Sequence, residues 1–310
     1  MKSEEFRKHG HALIDWMADY MDSVENFDVR SQVNPGDILS LLDDEPPLEG
    51  ELMENIFEDF KKKIIPGMTH WQHPSFFAYF PANSSPPSVL AEMLTSTLGA
   101  QCMLWQTSPA ATEMETRITG WLQKMTGLPT DLHGVIQDSA SSATLCALLT
   151  AREKATDWRT NKEGMNSLSS SLIVYTSEEA HSSTEKGAKI AGFGKDSVRL
   201  IRTGNNFEMC PEALRRTIVE NISNGYTPAC VVASMGTTGV GATDPLKAIG
   251  QLCKEYEIFL HVDAAWAGSA LILPEERRMA EGIEMADSIV FNPHKWLLTN
   301  FDCSAHYVKQ

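Results

Sequence analysis

A chain of 310 residues that is 42% hydrophobic and 22% charged has an ordinary globular composition, long enough for one large α/β domain and a smaller appendage. Its formal net charge is −15 and its 26 Lys and Arg residues are scattered, so neither nucleic acid nor an acidic membrane surface is an expected partner. There is no apolar run of about eighteen residues to cross a bilayer, no apolar signal core behind MKSEEFRKHG, and no C-x-x-C pair among the six cysteines, which excludes zinc-ribbon and redox motifs.

The N-terminal stretch 4–24 predicts an amphipathic helix, with Phe6, Leu13, Ile14, Met17, Tyr20 and Met21 at three- and four-residue steps. A Pro- and acid-rich connector follows from Asn34 to Gly50, and a second helix is expected from about Glu51 to Ile65, stopped by Pro66-Gly67. Lys61, Lys62 and Lys63 read as a solvated face of that helix. Two such helices own too little core, so the segment 1–85 is expected to pack elsewhere, on the body of the chain or on a second copy. His70 and His73 form an H-x-x-H pair, but without further ligands no metal site is expected.

The pattern then alternates over 86–310, expected to form the large domain. Helices are predicted at 88–99, 110–126, 141–155, 179–191, 211–223 and 245–256. Apolar strands are predicted at Ser171–Tyr175, Ala229–Ser234, Ile258–Val262 and Ser288–Phe291, with a further strand-like run at CSAHYVK. Strands separated by helices imply a mainly parallel sheet covered on both faces. The polar stretch Thr160–Ser171 is the expected mobile surface loop. The cysteines mostly have apolar neighbours and are expected to be buried thiols of a reducing cytoplasm.

Ligands collect at the carboxyl ends of parallel strands, and four such ends carry unusual residues. Ser139, Ala140 and Ser141 open a helix whose free N–H groups and dipole suit a phosphate, although a plain serine N-cap looks the same. Asp263 follows the strand IFLHV and precedes small residues that leave room for a flat ring. Gly236-Thr237-Thr238-Gly239 follows ACVVASM. Lys295 follows SIVF within NPHKW and would face the pocket that the other motifs surround. A lysine amine links to an aldehyde, a carboxylate keeps a pyridine nitrogen protonated, and a helix N-terminus holds a phosphate. That combination describes pyridoxal 5'-phosphate (PLP).

The ordered motifs SAS, SEEAHSS, GTTG, HVDAAWAG and NPHKW, with HWQHPSFFAYFPANSS (70–85), WQTSPAATEME (105–115) and NPHKWLLTNFDC (292–303), resemble the aromatic L-amino-acid decarboxylases, the group II PLP-dependent decarboxylases. The resemblance implies the PLP-dependent transferase-like fold (fold type I), a cytoplasmic homodimer that exchanges its N-terminal helices, and decarboxylation of tryptophan, tyrosine, phenylalanine or hydroxylated derivatives to amine and CO2. It implies Lys295 as the lysine that carries the cofactor, Asp263 as the partner of the pyridinium nitrogen and His181 as the residue stacked on the ring. Ser139, Ala140 and Ser141 would hold the phosphate with Asn292 and His294. Thr238 and Ala265 would line the remaining edges, and Trp71, Tyr79, Phe80 and Pro81 would wall the substrate side chain.

Ser142 stands where many relatives have a glutamate, Ala82 where many have a hydroxyl residue, and Gln101 and Met103 where apolar or aromatic residues are common; each change bears on the pocket. The resemblance implies a mobile tyrosine loop and a small C-terminal domain beyond the position of Gln310, so the large domain is expected to be C-terminally incomplete in this sequence. Two alternatives stay open: an aromatic aldehyde synthase, which couples decarboxylation to oxidative deamination, and a short, non-catalytic chain that only dimerises or binds PLP.

Overall fold

The computed structural model describes residues 1–80 and 83–309; Pro81, placed in the substrate wall by resemblance, Ala82 and Gln310 lie outside the described residues. The chain divides into two units, Met1–Pro81 and Ala82–Gln310.

In the first unit, helix α1 (Ser3–Ser23) and helix α2 (Met53–Asp59) meet through aromatic side chains. Trp16 lies edge-on to Phe57 and Phe60, with centroids 5.9 and 5.2 Å away. Tyr20 packs on Phe27 and hydrogen-bonds His70 Nδ1 through its hydroxyl at 2.7 Å. The expected single helix over 51–65 instead loosens into a π turn at Phe60–Ile64 and tightens into a 3-10 turn at Ile65–Gly67. Pro66 has no N–H to continue the ladder, which accounts for the change. Of the three lysines only Lys62 is exposed, Lys61 and Lys63 being half-buried, so the triplet is not one solvated face; Lys61 and Lys62 pair with Glu58 and Lys63 with Asp59. His70 and His73 are each tied to protein, His73 Nε2 lying 3.2 Å from the carbonyl of Glu25.

The second unit runs α3 (Pro86–Leu98), α4 (Pro109–Thr126), β1 (Leu132–Gln137), α5 (Ala140–Ala155), α6 (Arg159–Glu163), β2 (Leu172–Ser177), α7 (Ser183–Ile190), β3 (Val198–Ile201), α8 (Pro211–Ser223), β4 (Thr227–Ser234), α9 (Leu246–Glu255), β5 (Phe259–Asp263), β6 (Ser288–Phe291), α10 (Pro293–Trp296) and β7 (Ser304–Lys309). The strands form one sheet in the order β1-β7-β6-β5-β4-β2-β3. β3, β2, β4, β5 and β6 pair in parallel, and β7 runs antiparallel to both β6 and β1. The α/β, mainly parallel reading therefore holds.

Side-chain alternation builds the two faces. Ile173, Tyr175, Val231, Ala233, Leu260, Val262, Ile289 and Phe291 point to one layer with Leu214, Ile218 and Ile249. Leu172, Val174, Cys230, Val232 and Phe259 point to the other with Ala147, Leu148 and Ala188 of α5 and α7. Glycine is required where backbone passes close: a Cβ on Gly268 would collide with Phe291, so the turn after β5 can lie against β6 only without one.

Several expectations need correction. β1 and β3 were not anticipated: β1 has a single fully buried residue, Leu132, and β3 is a four-residue edge strand with Leu200 exposed, so neither carries a clean apolar signal. The expected mobile loop over Thr160–Ser171 starts as helix α6. The buried carboxylate of Glu153 pins it, accepting from the Thr160 hydroxyl at 2.6 Å and the Asn161 N–H at 2.9 Å. Only Cys230 and Cys253 are buried, whereas Cys102 and Cys146 are exposed; apolar neighbours in sequence do not report which face of an element a thiol occupies.

Candidate active site

Because β1, β2, β4, β5 and β6 share one direction, the loops that leave Gln137, Ser177, Ser234, Asp263 and Phe291 emerge at the same edge of the sheet. Asp263 is the last residue of β5, level with Ser234 on β4 and Val290 on β6. Period-two alternation places it with His261 and Phe259 on the face covered by α5 and α7. Its Oδ1 accepts the N–H of Ala265 at 3.0 Å.

Asp263 is buried, and burial pushes its carboxyl up; the Ala265 N–H and the basic groups of Lys295 and His181 pull it back. Burial lowers the Lys295 ammonium while Asp263 raises it. The acid and the amine therefore sense each other across a poorly solvated space. His181 occupies the turn before α7, which begins at Ser183 instead of at residue 179 as expected from sequence. Its ring is exposed. The Ser183 N–H donates to Nδ1 at 3.3 Å and the Ser183 hydroxyl lies 2.9 Å from the same nitrogen, which makes Nδ1 the acceptor and places the neutral ring's proton on Nε2.

Lys295 sits in α10, the turn after β6, and its position is fixed from both sides. Asn292 N donates to Ala265 O at 2.9 Å and Lys295 N to Asn292 O at 3.0 Å, so β6 and the turn after β5 are locked together. Asn292 Oδ1 accepts the Ser304 hydroxyl at 2.8 Å, and His294 Nδ1 accepts the Cys303 N–H at 2.9 Å. His294 is buried, which depresses its basicity, and Lys295 depresses it further.

Ser139 is the N-cap of α5, its Oγ accepting the Ser142 N–H at 3.2 Å. Ala140 and Ser141 form the first turn of this 16-residue helix. Gln137, two residues earlier, is the register partner of Ser304, whose hydroxyl holds Asn292. A short path of backbone pairing and one hydrogen bond thus links the α5 N-terminus to the Lys295 turn.

Thr238 is exposed in the turn after β4, whereas Thr237 is buried and accepts the Ala242 N–H at 3.0 Å. Ala265 is half-buried beside Asp263. Trp71, Tyr79 and Phe80 belong to the first unit, where Trp71 and Tyr79 stack at 5.8 Å and Trp71 packs on Phe76 at 4.9 Å.

Two residues that hold the site were not singled out from sequence. Asn83 donates its N–H to His294 O at 2.8 Å and its side-chain amide to Lys295 O, and Ser304 orients Asn292. Asn83 lies in the quoted FPANSS motif, so the signal was present without a role attached. Ser304 had no signal beyond an apolar strand.

The sequence matches the family described as the pyridoxal-dependent decarboxylase conserved domain over residues 35–310. It is 43% identical to tyrosine decarboxylase 4 of Petroselinum crispum, covering 100% of this chain and 61% of that protein. It is also 43% identical to phenylacetaldehyde synthase of Arabidopsis thaliana, covering 100% of this chain and 64% of the relative. A solved structure of Oryza sativa TDC with PLP and tryptamine matches with a TM-score of 0.95 at 35% identity, covering 100% of this chain and 67% of that one. The chain spans about three fifths of the length of the curated relatives it matches.

Proposed function

The chain belongs to the pyridoxal-dependent decarboxylase family, and from that premise we propose that it converts an aromatic L-amino acid to the amine and CO2 with PLP as cofactor. The observation that carries this reading is the buried Asp263 and the half-buried Lys295, each acting electrostatically on the other at the carboxyl edge of the sheet. A buried carboxylate stays ionised only beside a cation. A protonated pyridine nitrogen would be such a cation, so the buried acid fits the cofactor.

The bound cofactor supplies an aldehyde that an amine can hold and a conjugated, protonated ring that accepts an electron pair. Lys295 would hold that aldehyde, and the burial that depresses its basicity favours the neutral, nucleophilic amine. Asp263 would keep the proton on the ring nitrogen. His181 would lie on the ring face and, through Nε2, stand within reach of a proton on the reacting carbon. Ser139, Ala140 and Ser141 would bind the phosphate with Asn292 and His294, while Thr238 and Ala265 would border the ring. Trp71, Tyr79 and Phe80, with Pro81, would receive the substrate's aromatic side chain. In the reaction the bond from Cα to the carboxylate breaks, its electron pair stays with the organic fragment, and a proton takes the place of CO2.

A homodimer in the cytoplasm is part of the proposal. Leu90, Met93, Leu94 and Leu98 of α3 and Met114, Ile118, Trp121 and Met125 of α4 are exposed, an extent of apolar surface that favours coverage by a second copy. The segment 1–85 is proposed as the arm exchanged in that dimer, since α1 has no buried residue of its own. Among the described residues no helix is long and apolar enough to cross a membrane.

The equal identity to an aldehyde synthase supports a second reading, in which O2 and water are consumed and the products are aldehyde, CO2, ammonia and hydrogen peroxide. Supplying the protein with PLP and tryptophan, tyrosine or phenylalanine, then assaying amine, CO2, aldehyde and peroxide, tests both. Amine with stoichiometric CO2 is expected. Aldehyde with peroxide selects the second reading, and absence of CO2 from every aromatic substrate overturns both.

A further inference from the structure

Asp138 lies between β1 and the Ser139 cap of α5, at the end of the helix assigned above to the cofactor's phosphate. Its Oδ2 accepts from two hydroxyls, Ser139 Oγ at 3.2 Å and Ser142 Oγ at 3.1 Å. The same Ser139 Oγ already accepts the Ser142 N–H. Each hydroxyl has one proton; Asp138 is placed to take both, with Ser142 Oγ a second acceptor for the Ser139 hydroxyl at 3.2 Å. The carboxylate also sits in the positive field of the helix N-terminus, which favours it as it would any anion. A phosphate arriving at this end would need those protons and that field.

We propose that Asp138 is an internal competitor at the phosphate end of the cofactor site, a residue that loosens PLP by occupying the Ser139 and Ser142 hydroxyls and by repelling the phosphate charge. The inference rests on the PLP reading of the site and adds to it a residue that sets cofactor affinity and exchange. The two serine hydroxyls hold the Asp138 carboxyl below its usual range, so the charge is present throughout the neutral region. Asp138 is exposed, so removing its charge leaves the core untouched.

The test compares the wild type with Asp138→Asn and Asp138→Ala by equilibrium dialysis against PLP and, separately, against pyridoxal, which has the ring and aldehyde but no phosphate. Circular dichroism checks that both variants fold. Asp138→Asn should tighten PLP about three- to tenfold, the size of a single-charge repulsion across several ångströms of near-aqueous dielectric, and the gain should shrink at high salt. Asp138→Ala should tighten PLP in the same direction, and pyridoxal should bind all three proteins alike. Unchanged or weaker PLP binding in both variants overturns the proposal, as does equal tightening of PLP and pyridoxal. A wild type that binds neither compound removes the PLP reading itself, an outcome distinct from a failure of Asp138.

Discussion

The face of the sheet under α5 contains two buried histidines, and they make a definite demand on pH. His306 on β7 is 3% exposed, its Nε2 has no hydrogen-bond partner among the described residues, and its ring stands edge-on to that of His261 at 6.0 Å. Burial depresses His306 from 6.5 to about 4 and drives the fully buried His261 down as well, with His306 adding to the effect. A base whose folded pKa is depressed stabilises the fold above its unfolded pKa and loses that contribution as pH falls toward the folded value. At pH 5 an unfolded histidine is protonated while folded His306 remains neutral, so acidification from pH 7 costs about 2 kcal/mol at this residue alone. Asp244 works in the opposite sense. Its carboxyl is raised to about 6 by burial, so its contribution is full below the unfolded pKa and is lost as pH rises through the folded one. On acidification to pH 5 it returns about 1 kcal/mol. The informative quantity is therefore a difference between proteins. Urea unfolding of wild type and His306→Phe at pH 7 and pH 5 should show the wild type losing about 2 kcal/mol more on acidification. Equal losses in the two proteins would refute the assignment of the acid sensitivity to His306.

Other changes test the site and its frame. Lys295→Ala should abolish the visible absorbance that PLP gains when bound to the wild type, while circular dichroism stays native; retained absorbance would show that another amine holds the cofactor. Asp263→Asn should still bind PLP in dialysis but release CO2 several orders of magnitude more slowly, because a preorganised charge is lost at the ring nitrogen; a parental rate would remove the role given to this acid. Asp244→Ala should lower unfolding stability by about 4 kcal/mol, since the Met209 and Ser234 N–H groups, each 2.7 Å from its carboxylate, are left buried without an acceptor. A loss below about 1 kcal/mol would mean that water or a backbone shift replaces both bonds.

The parts of the fold legible in the sequence are those where burial is two-sided and continuous. β4, β5 and β6 read directly because every residue from Ala229 through Ser234, from Phe259 through Asp263 and from Ser288 through Phe291 is buried. β1 escaped notice because its burial alternates weakly and the strand borrows its partner, β7, from about 170 residues further along the chain. The same distinction holds at the site. Asp263 and Lys295 stand out because charged residues at the ends of apolar strands violate the local pattern, and such violations concentrate where chemistry is done. Asn83 and Ser304 violate nothing, since an asparagine in a loop and a serine in a strand are unremarkable until a hydrogen-bond partner is known. Their part is a property of three-dimensional closure, with Asn83 reaching His294 and Lys295 from more than 200 positions away.

The α5 face also explains why a sheet would hold polar residues so deep. Between β2 and β4 this face is Leu172, Val174, Cys230 and Val232, an apolar surface that any helix could cover in many registers. Between β5 and β7 it becomes His261, Asp263, Ser288, Ser304 and His306. There His261 Nδ1 lies 2.8 Å from the Ser288 hydroxyl and Nε2 lies 3.3 Å from the hydroxyl of Thr144 on α5. Directional contacts between buried groups admit one register where hydrophobic packing tolerates several. The helix so fixed is the one capped by Ser139 and opened by Ala140 and Ser141, and the strand that fixes it, β5, ends two residues after His261 at Asp263. A ligand held at one end by the helix and at the other by the acid needs that spacing to stay constant. A pair of buried histidines that destabilises the fold in acid is a physical cost consistent with that constraint.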